Sequence, residues 1–283
     1  MALGTLYIVG TPIGNLEDMT VRAIKTLQTV DFIAAEDTRH TGKLLHHFEI
    51  QTPQISYHTH NSYARIPELL DLLLEGKNIA LVSDAGMPSI SDPGLELVQA
   101  SISAQVNVIP IPGVSACTTA LVASGLSTDS FIFAGFLSTD SSQRRSQLEQ
   151  LAIEQRTIIM YEAPHRLRKT LQDLSAYLNA DRQVVLGREL TKLHEEFWRG
   201  DLKEAIAHYT NQEPRGEFTL VMAGIPKGDS KVWTEPQLKS ELVAIMAEGI
   251  SRSQASRKLA EITKIPRRQL YQMALTIDLE ISQ

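Results

Sequence analysis

Short runs rich in apolar residues alternate with amphipathic segments over the first 113 residues of the chain. The apolar runs predict strands over 6–9, 32–35, 79–82 and 106–109. Helical spacing of the apolar residues between them predicts helices over 20–28, 41–48 and 66–74. Asp92 and Pro93 suit the N-cap and first turn of a further helix. Strands that alternate with helices predict an α/β fold with a mostly parallel sheet.

The pattern changes after residue 113, where longer polar stretches separate the apolar runs. A helix is predicted over 114–123 and another over 166–178. Strands are predicted over 131–134, 157–161, 183–186 and 217–223. This part is also α/β, with more antiparallel pairing. We therefore predict a first α/β domain over 1–113 and a second over 114–226.

The last fifty residues carry a different pattern and a different charge. Residues 225–230 look like a linker, and three short helices are predicted over 235–248, 251–263 and 266–277. Residues 249–272 contain six basic residues and a single acid, Glu261; the basic residues are Arg252, Arg257, Lys258, Lys264, Arg267 and Arg268. The spacing resembles a helix-turn-helix. We predict a helical appendage over 232–283 that contacts RNA, the alternative being a packing appendage with a solvated basic face.

Composition narrows the class of protein. Hydrophobic residues make up 43% of the chain and charged residues 21%, as in ordinary globular proteins. No run is long enough to span a bilayer, the N-terminus does not look like a signal peptide, and Cys117 is the single cysteine. We expect a cytoplasmic protein without a bound metal, and we interpret His58 and His60 as part of a polar loop.

Two glycine- and proline-containing loops follow predicted strands and indicate a small-molecule site. Strand and loop together cover 79–94 in one case and 106–116 in the other. In open α/β sheets, ligands bind beyond the carboxyl ends of the strands. The motif over 9–16 also closes a strand, but it matches neither a Walker loop nor a dinucleotide fingerprint.

Charged clusters follow other strands. Glu36, Asp37 and Arg39 come directly after the second strand, where Asp37 or Thr38 could instead cap a helix. Further clusters of charged residues follow predicted strands over 161–166 and 187–192, and residues 215–221 supply another charged loop and strand. Each cluster alone is compatible with surface charge, but their repetition favours a shared site.

Five motifs occur in order: Leu-Tyr-Ile-Val-Gly-Thr-Pro-Ile-Gly-Asn-Leu, Ala-Ala-Glu-Asp-Thr-Arg-His-Thr, Leu-Val-Ser-Asp-Ala-Gly-Met-Pro, Tyr-Glu-Ala-Pro-His-Arg-Leu and Arg-Glu-Leu-Thr-Lys. Together they resemble the ribosomal RNA small subunit methyltransferase I family of the tetrapyrrole methylase superfamily. The resemblance covers residues 6–224 and, more loosely, the C-terminal helices. It implies two α/β domains with the cofactor in the cleft between them, in a homodimer.

The same resemblance implies an S-adenosylmethionine-dependent enzyme that methylates the 2′-hydroxyl of a cytidine ribose in the decoding region of bacterial 16S rRNA. Its partner would be 16S rRNA in the small ribosomal subunit. The implied cofactor contacts are Asp84, Ala85, Gly86, Met87, Ile90, Val114, Ser115, Ala116 and Tyr161. Met87 departs from the threonine expected there, although a backbone contact would survive the change.

Methyl transfer to a ribose hydroxyl requires alignment and removal of a proton. Candidates for the base are Glu36, Asp37, Glu162 and His165, and the predicted catalytic set is Glu36, Asp37, Arg39 and Glu162. Arg39, Arg166 and Lys192 could hold flanking phosphates. The predicted RNA contacts are Arg144, Arg145, Arg267 and Arg268.

Two alternatives stay open at this level. One is a methyltransferase of the same fold that acts on a tetrapyrrole, a protein side chain or another small molecule. The other is an RNA-binding or ribosome-assembly factor without enzymatic activity. Cofactor binding would distinguish a methyltransferase from a non-enzymatic RNA-binding factor. The identity of the acceptor would distinguish an rRNA methyltransferase from one of the same fold that acts on another substrate.

Overall fold

The computed structural model describes residues 2–225, 235–247, 249–263, 265 and 267–277. Most of the predicted linker, together with Glu248, Lys264 and Pro266, lies outside the described residues. The chain forms two compact units, Met1–Gly224 and Ile225–Gln283. The predicted boundary near residue 113 lies within the first unit and stays a prediction.

The first sheet is built from alternating strands and helices. Its elements are β1 (Thr5–Val9), α1 (Val21–Thr29), β2 (Phe32–Ala35), α2 (Thr38–His47), β3 (Gln54–Ser56), α3 (Ser62–Leu74), β4 (Ile79–Val82), α4 (Leu95–Ser103) and β5 (Asn107–Ile111). All strand pairs are parallel, in the order β3-β2-β4-β1-β5. The predicted parallel sheet is thereby confirmed.

Apolar side chains cover both faces of this sheet. Val9, Ile33 and Val82 belong to one core cluster, and Leu6 and Leu81 belong to another. All four residues of β4 are buried. A continuous apolar run is what a strand covered on both faces requires, and this explains why the limits of β4 were predicted correctly.

The second sheet combines parallel and antiparallel pairs. Its elements are α5 (Ala116–Ser124), β6 (Phe131–Phe133), α6 (Ser141–Ala152), β7 (Thr157–Glu162), α7 (Pro164–Leu178), β8 (Gln183–Arg188), β9 (Glu196–Asp201), α8 (Leu202–Asn211) and β10 (Phe218–Met222). The strand order is β6-β7-β10-β8-β9, and only the β6–β7 pair is parallel. This agrees with the predicted increase in antiparallel pairing.

Across the two sheets, the sequence pattern did not predict four elements: β3, β9, α6 and α8.

The prediction that Asp92 caps a helix was wrong. Helix α4 begins at Leu95 with Gly94 at its N-cap, and Gly94 has φ 147°, which strongly favours glycine. Asp92 therefore stays in the loop before the helix.

The second unit contains α9 (Glu235–Ala247), α10 (Arg252–Thr263) and α11 (Arg267–Leu275). The three helices share an apolar core that includes Leu242, Leu259 and Leu270. Each helix lies close to its predicted range, because regular apolar spacing marks the buried face of a short helix.

Candidate active site

Three loops meet closely at the carboxyl end of the first sheet. A Cβ atom at Gly10 would lie 2.7 Å from the Cα of Gly113, so the loops after β1 and β5 touch through their glycines. Thr11 and Gly86 exchange two backbone hydrogen bonds, of 2.9 and 3.0 Å, which join the loops after β1 and β4. Larger side chains at Gly10 or Gly113 would force these loops apart.

The loop after β4 holds an unusual backbone conformation. Ser89 and Ser91 have φ values of 70° and 66°, and Gly86 has a φ of 79°. Non-glycine residues in the left-handed region each cost of the order of 1–3 kcal/mol, and such residues concentrate at binding sites. The Ser89 hydroxyl is also buried without a hydrogen-bond partner among the described residues. The loop is therefore held in place at an energetic cost.

A cavity of about 380 Å³ opens beside this loop. We call it the cofactor cavity, because seven of the nine predicted cofactor contacts line it: Ala85, Gly86, Met87, Ile90, Ser115, Ala116 and Tyr161. Phe136 and Thr219 add walls from the second sheet. Asp84 lines the neighbouring cavity instead, and Val114 lines a shallow depression near Thr118.

Tyr161 is held in place in the wall of the cofactor cavity. Its hydroxyl accepts a hydrogen bond of 3.1 Å from the backbone N–H of Cys117. Its ring makes edge contacts with Phe133 and Phe136, at centroid distances of 4.8 and 5.7 Å. Burial raises the pKa of Tyr161, so the phenol remains neutral at physiological pH.

Three carboxyl groups gather near the same cavity. Glu36 accepts a hydrogen bond from the backbone N–H of Asp84, at 3.3 Å, and Asp84 accepts one from the N–H of Asp37, at 3.1 Å. Burial, reinforced by the charge of Glu36, raises the pKa of Asp92 to about 6. Burial also raises the pKa of Glu36. Asp92 itself lines the cofactor cavity, so this corner attracts a cation.

The cofactor cavity fits S-adenosylmethionine on these observations. Its apolar walls, which include Ile13, Met87 and Phe136, suit the adenosine portion. Asp92 places a carboxyl group in this cavity, which suits a positively charged sulfonium. The volume of about 380 Å³ is within the range of small-molecule sites.

A second cavity, of about 500 Å³, adjoins the first. We call it the acceptor cavity. It is lined by the loop after β1, by His40 and Lys43 of α2, and by Ser83, Asp84 and Lys192. The two cavities share three residues, Ile13, Ala85 and Glu217. An acceptor in the second cavity would therefore lie beside a ligand in the first.

Lys192 is held between two carboxylates beside this cavity. Its Nζ lies 2.9 Å from Glu189 and 2.8 Å from Glu217. Although burial opposes it, these contacts raise the pKa of Lys192. Burial likewise opposes ionisation of Glu189, but hydrogen bonds from Lys192 and from the N–H of Glu217 lower its pKa. Lys192 was predicted to hold a phosphate, but its ammonium group is already paired with two carboxylates.

Asp37 and Arg39 lie on the surface at the start of α2. Asp37 caps the helix by accepting a hydrogen bond from the backbone N–H of Arg39, at 2.8 Å. It also forms a two-point ion pair with the guanidinium, which lowers the pKa of Asp37 strongly. Its ionised form is therefore a weak base. The Arg39 side chain is 89% exposed, and neither residue lines the two cavities.

Glu162 is buried at the end of β7. Its carboxylate accepts hydrogen bonds from the Thr170 hydroxyl and from the backbone N–H of Ala163, and it lies 3.5 Å from Arg166. Although Glu162 lines the cofactor cavity, these partners occupy its oxygens. This geometry suits a residue that fixes the start of α7.

The predicted RNA contacts differ in their surroundings. Arg144 is only 8% exposed and donates hydrogen bonds to Asp173, at 2.8 Å, and to Thr170, at 2.9 Å. This burial contradicts the prediction that Arg144 contacts RNA. Its neighbour Arg145 has 72% of its side chain exposed and pairs with Glu149.

Arg267 and Arg268 lie on the exposed start of α11. Arg267 donates a hydrogen bond of 2.9 Å to Ser253 of α10, and Arg268 has no such partner among the described residues. Together with Tyr271, these residues line a surface depression of about 290 Å³. Their exposure leaves them accessible to a polyanion.

Some site residues were missed by sequence reasoning. Asp92 was assigned to a helix cap, and Phe136 and His40 were assigned no role. Glu217 was recognised only as part of a charged cluster. Asp92 could have been predicted as a site residue, because it lies in a polar loop after a buried strand. The residues around Glu217 in the sequence do not indicate that it lines both cavities. Among the described residues, no group of three or more His, Cys, Asp or Glu side chains could hold a metal ion.

Comparison with known proteins assigns the chain to a family. Residues 5–206 match the model of the Tetrapyrrole (Corrin/Porphyrin) Methylases, and residues 240–278 match the RsmI C-terminal HTH domain. A Synechocystis protein named ribosomal RNA small subunit methyltransferase I is 60% identical over 98% of this chain and 99% of its own length. A Bacillus subtilis protein of the same name is 45% identical, over 95% of this chain and 93% of its own length. The chain belongs to the ribosomal RNA small subunit methyltransferase I family of tetrapyrrole methylases.

Solved structures show the same fold for this member of the tetrapyrrole methylases. Uroporphyrin-III-C-methyltransferase from Thermus thermophilus gives a TM-score of 0.56 at 20% identity, covering 77% of this chain and 94% of that chain. The methyltransferase CobJ gives a TM-score of 0.61 at 15% identity, covering 78% and 95%. At these identities the likeness establishes the fold alone. No helix among the described residues is long and apolar enough to cross a membrane.

Proposed function

We propose that this protein is an S-adenosylmethionine-dependent methyltransferase that modifies the 2′-hydroxyl of a cytidine ribose in the decoding region of bacterial 16S rRNA. The observation that carries the proposal is the pair of adjoining cavities, one suited to the cofactor and one beside it for the acceptor. The 60% identity to a protein named ribosomal RNA small subunit methyltransferase I supports rRNA as the substrate.

The residues of the cofactor cavity bind and orient the methyl donor. Gly86 and Ala85 supply backbone beside the ligand, Tyr161 forms part of the cavity wall, and Asp92 offers a carboxylate to its cationic centre. Val114 and Asp84 flank the lining residues Ser115 and Ala85 along the chain. When bound, S-adenosylmethionine supplies an electrophilic methyl group with a neutral thioether as the leaving group. The protein must then align the acceptor oxygen and take up its proton.

The charged groups at the ends of β2 and β4 organise the acceptor side. Glu36 holds the loop at Asp84 through a backbone hydrogen bond, which keeps the acceptor cavity open next to the cofactor. Arg39, exposed at the start of α2, is placed to contact a phosphate near the bound nucleotide, with Asp37 orienting its guanidinium. We assign Glu36, Asp37 and Glu162 positioning roles.

The remaining RNA contacts come from exposed basic residues. Arg145, Arg267 and Arg268 are accessible, and the net charge of −6 means that such local patches must supply the attraction for RNA. A cytoplasmic location follows from an rRNA substrate. The homodimer rests on the family resemblance, and the division into α/β domains at residues 113/114 rests on the change of sequence pattern there. Light scattering of the purified protein tests the dimer.

The first experiment is a calorimetric titration with S-adenosylmethionine, followed by methyl transfer from the tritiated compound to unmethylated small ribosomal subunits. We expect binding, and label in a cytidine ribose of the 16S rRNA. Failure to bind to the folded protein, alone and with subunits present, would contradict the methyltransferase assignment. Binding without transfer to rRNA, together with transfer to a tetrapyrrole, would favour the same-fold alternative.

A further inference from the structure

Glu217 lies on the wall between the two cavities. Of the three residues shared by both cavities, Ile13, Ala85 and Glu217, it alone has an ionisable side chain. A methyl group that passes from a donor in one cavity to an oxygen in the other must cross this wall. The side chain of Glu217 is therefore next to the path of transfer.

The rest of the structure fixes one oxygen of Glu217 and leaves the other available. Oε2 lies 2.8 Å from Nζ of Lys192, and the backbone N–H of Glu217 donates a hydrogen bond of 2.9 Å to Glu189. Oε1 makes no hydrogen bond with the described residues. The side chain is 80% exposed, so this oxygen can reach a ligand.

The segment that holds Lys192 is itself constrained. Glu189 and Thr191 have φ values of 50° and 65°, which is costly for residues other than glycine. A Cβ atom at Gly14 would lie 2.4 Å from Cγ of Lys192, and one at Gly216 would lie 2.5 Å from the Glu189 side chain. Two glycines therefore let the backbone approach these charged side chains. Such close fitting is what a pre-organised site requires.

We propose that Glu217 is a catalytic residue that accepts the proton of the ribose hydroxyl, with Lys192 and Glu189 as its positioning residues. The inference rests on the proposed function. In this step the hydroxyl oxygen forms a bond to the methyl carbon while the carbon–sulfur bond breaks. The electron pair of that bond stays on sulfur. The proton passes to Oε1 of Glu217, so the sulfonium cation and the carboxylate anion are both neutralised.

Other carboxylates are less well placed for this role. Glu36 and Asp37 line neither cavity, and Glu162 is buried with its oxygens already hydrogen-bonded. The hydroxyl becomes acidic as its bond to carbon forms, so a carboxylate next to the path of transfer can accept its proton. Glu217 is thus the base that the arrangement of the cavities favours over those predicted from the sequence.

The test is the single-turnover rate of Glu217→Gln with tritiated S-adenosylmethionine and unmethylated small ribosomal subunits. We expect a fall of roughly 10²–10⁴-fold, with the cofactor Kd changed less than about threefold in calorimetry. Glu213→Gln is the matched control, because Glu213 is an exposed carboxylate that pairs with Arg215 and lines neither cavity. Its rate should equal that of the wild type.

A rescue experiment separates proton transfer from a structural role. Glu217→Ala should regain part of its rate when formate is added, because formate can occupy the space of the lost carboxylate. If Glu217→Gln does not fold, Glu217→Asp takes its place. Aspartate keeps the negative charge, but its side chain is one methylene shorter, so the carboxylate lies farther from the acceptor and the rate should fall at least about tenfold.

The outcomes that overturn the inference are distinct from failure of the proposed function. A rate of Glu217→Gln, or of Glu217→Asp in its place, within about threefold of wild type would remove Glu217 from catalysis. A loss of cofactor affinity that accounts for the whole effect would make it a cofactor contact instead. If the wild-type protein binds the cofactor but labels no rRNA, the proposed function fails and the inference fails with it.

Discussion

The hydroxyl of Tyr161 accepts a hydrogen bond from the backbone N–H of Cys117, so the end of strand β7 is tied to the first turn of helix α5. Tyr161→Phe removes this hydrogen bond and leaves the half-buried N–H of Cys117 without its partner. We expect the free energy of unfolding to fall by about 1 kcal/mol and cofactor affinity to fall several-fold. Urea unfolding and calorimetry measure the two effects. Tyr63→Phe, at a tyrosine 88% exposed, should change neither.

Two glycines with the same backbone conformation provide a test of the cofactor cavity. Gly86 and Gly125 have φ values of 79° and 80°, but only Gly86 lines the cavity, and a Cβ atom at Gly125 would meet nothing within 4 Å. Substitution by leucine strains the backbone at both positions by roughly 1–2 kcal/mol. We expect Gly86→Leu to weaken S-adenosylmethionine binding at least about tenfold, because its side chain fills the cavity. Equal affinities in the two variants would place the cofactor elsewhere.

The raised pKa of Asp92, about 6, predicts a pH dependence of cofactor binding. A cationic sulfonium favours the ionised carboxylate, so affinity should rise between pH 5 and 7 and level off above. The stability of the free protein should move in the opposite direction. Because the folded-state pKa exceeds the ordinary 3.8, stability falls as the pH rises from about 4 to about 6.

Calorimetry from pH 5 to 8 measures this dependence. In Asp92→Asn the affinity should be lower at pH 7.5 and nearly independent of pH over this range. Asp71→Asn, at an exposed aspartate of α3, is the control and should retain the wild-type profile. An unchanged profile in Asp92→Asn would assign the titration to another group, such as Glu36, whose pKa is also raised.

Arg144 and Arg145 are neighbours in α6 with different surroundings. Arg144→Met removes one partner from Asp173, which keeps Lys169, and one from Thr170, which still donates to Glu162, and it should lower the free energy of unfolding by about 2–3 kcal/mol. This value is below that of a fully buried pair because Asp173 is 24% exposed. Arg145→Met, at an exposed side chain, should leave the free energy of unfolding nearly unchanged. Chemical denaturation of both variants checks the difference, and equal costs would contradict it.

Arg267 and Arg268 should govern the salt dependence of RNA binding. Each phosphate contact contributes roughly 0.7–0.9 to the slope of log K against log salt concentration. Neutralising both residues should therefore reduce that slope by up to about 1.4–1.8. Lys239→Gln, at a lysine paired with Glu235 in α9, is the control in the same unit. A slope unchanged in the double variant would exclude this surface from the RNA interface.

The sequence predicted some elements at their observed limits and missed others for physical reasons. Strands β2 and β4 are apolar runs bounded by polar residues, and both were placed correctly. Strand β3 has three residues, Gln54–Ser56, two of them polar, so local pattern does not reveal it. Its place at the sheet edge depends on pairing with β2.

In the candidate site, too, some residues could be predicted from the sequence and others could not. Motifs after the strands located most of the cofactor cavity, since the carboxyl ends of parallel strands meet at one edge. Whether Arg144 is exposed depends on Asp173, twenty-nine positions away, and residue type carries no such information. The position of Glu217 between two cavities likewise depends on loops that only folding brings together, so the sequence does not predict it.

The strand order of the first sheet has a consequence for biosynthesis. Strand β1 lies between β4 and β5, so both of its hydrogen-bonding neighbours are made much later, at residues 79–82 and 107–111. At roughly 5–20 residues per second, this apolar strand waits several seconds on the ribosome before it can pair. The nascent chain is exposed to aggregation or chaperone capture during that interval, and the first sheet can close only after β5 has left the exit tunnel.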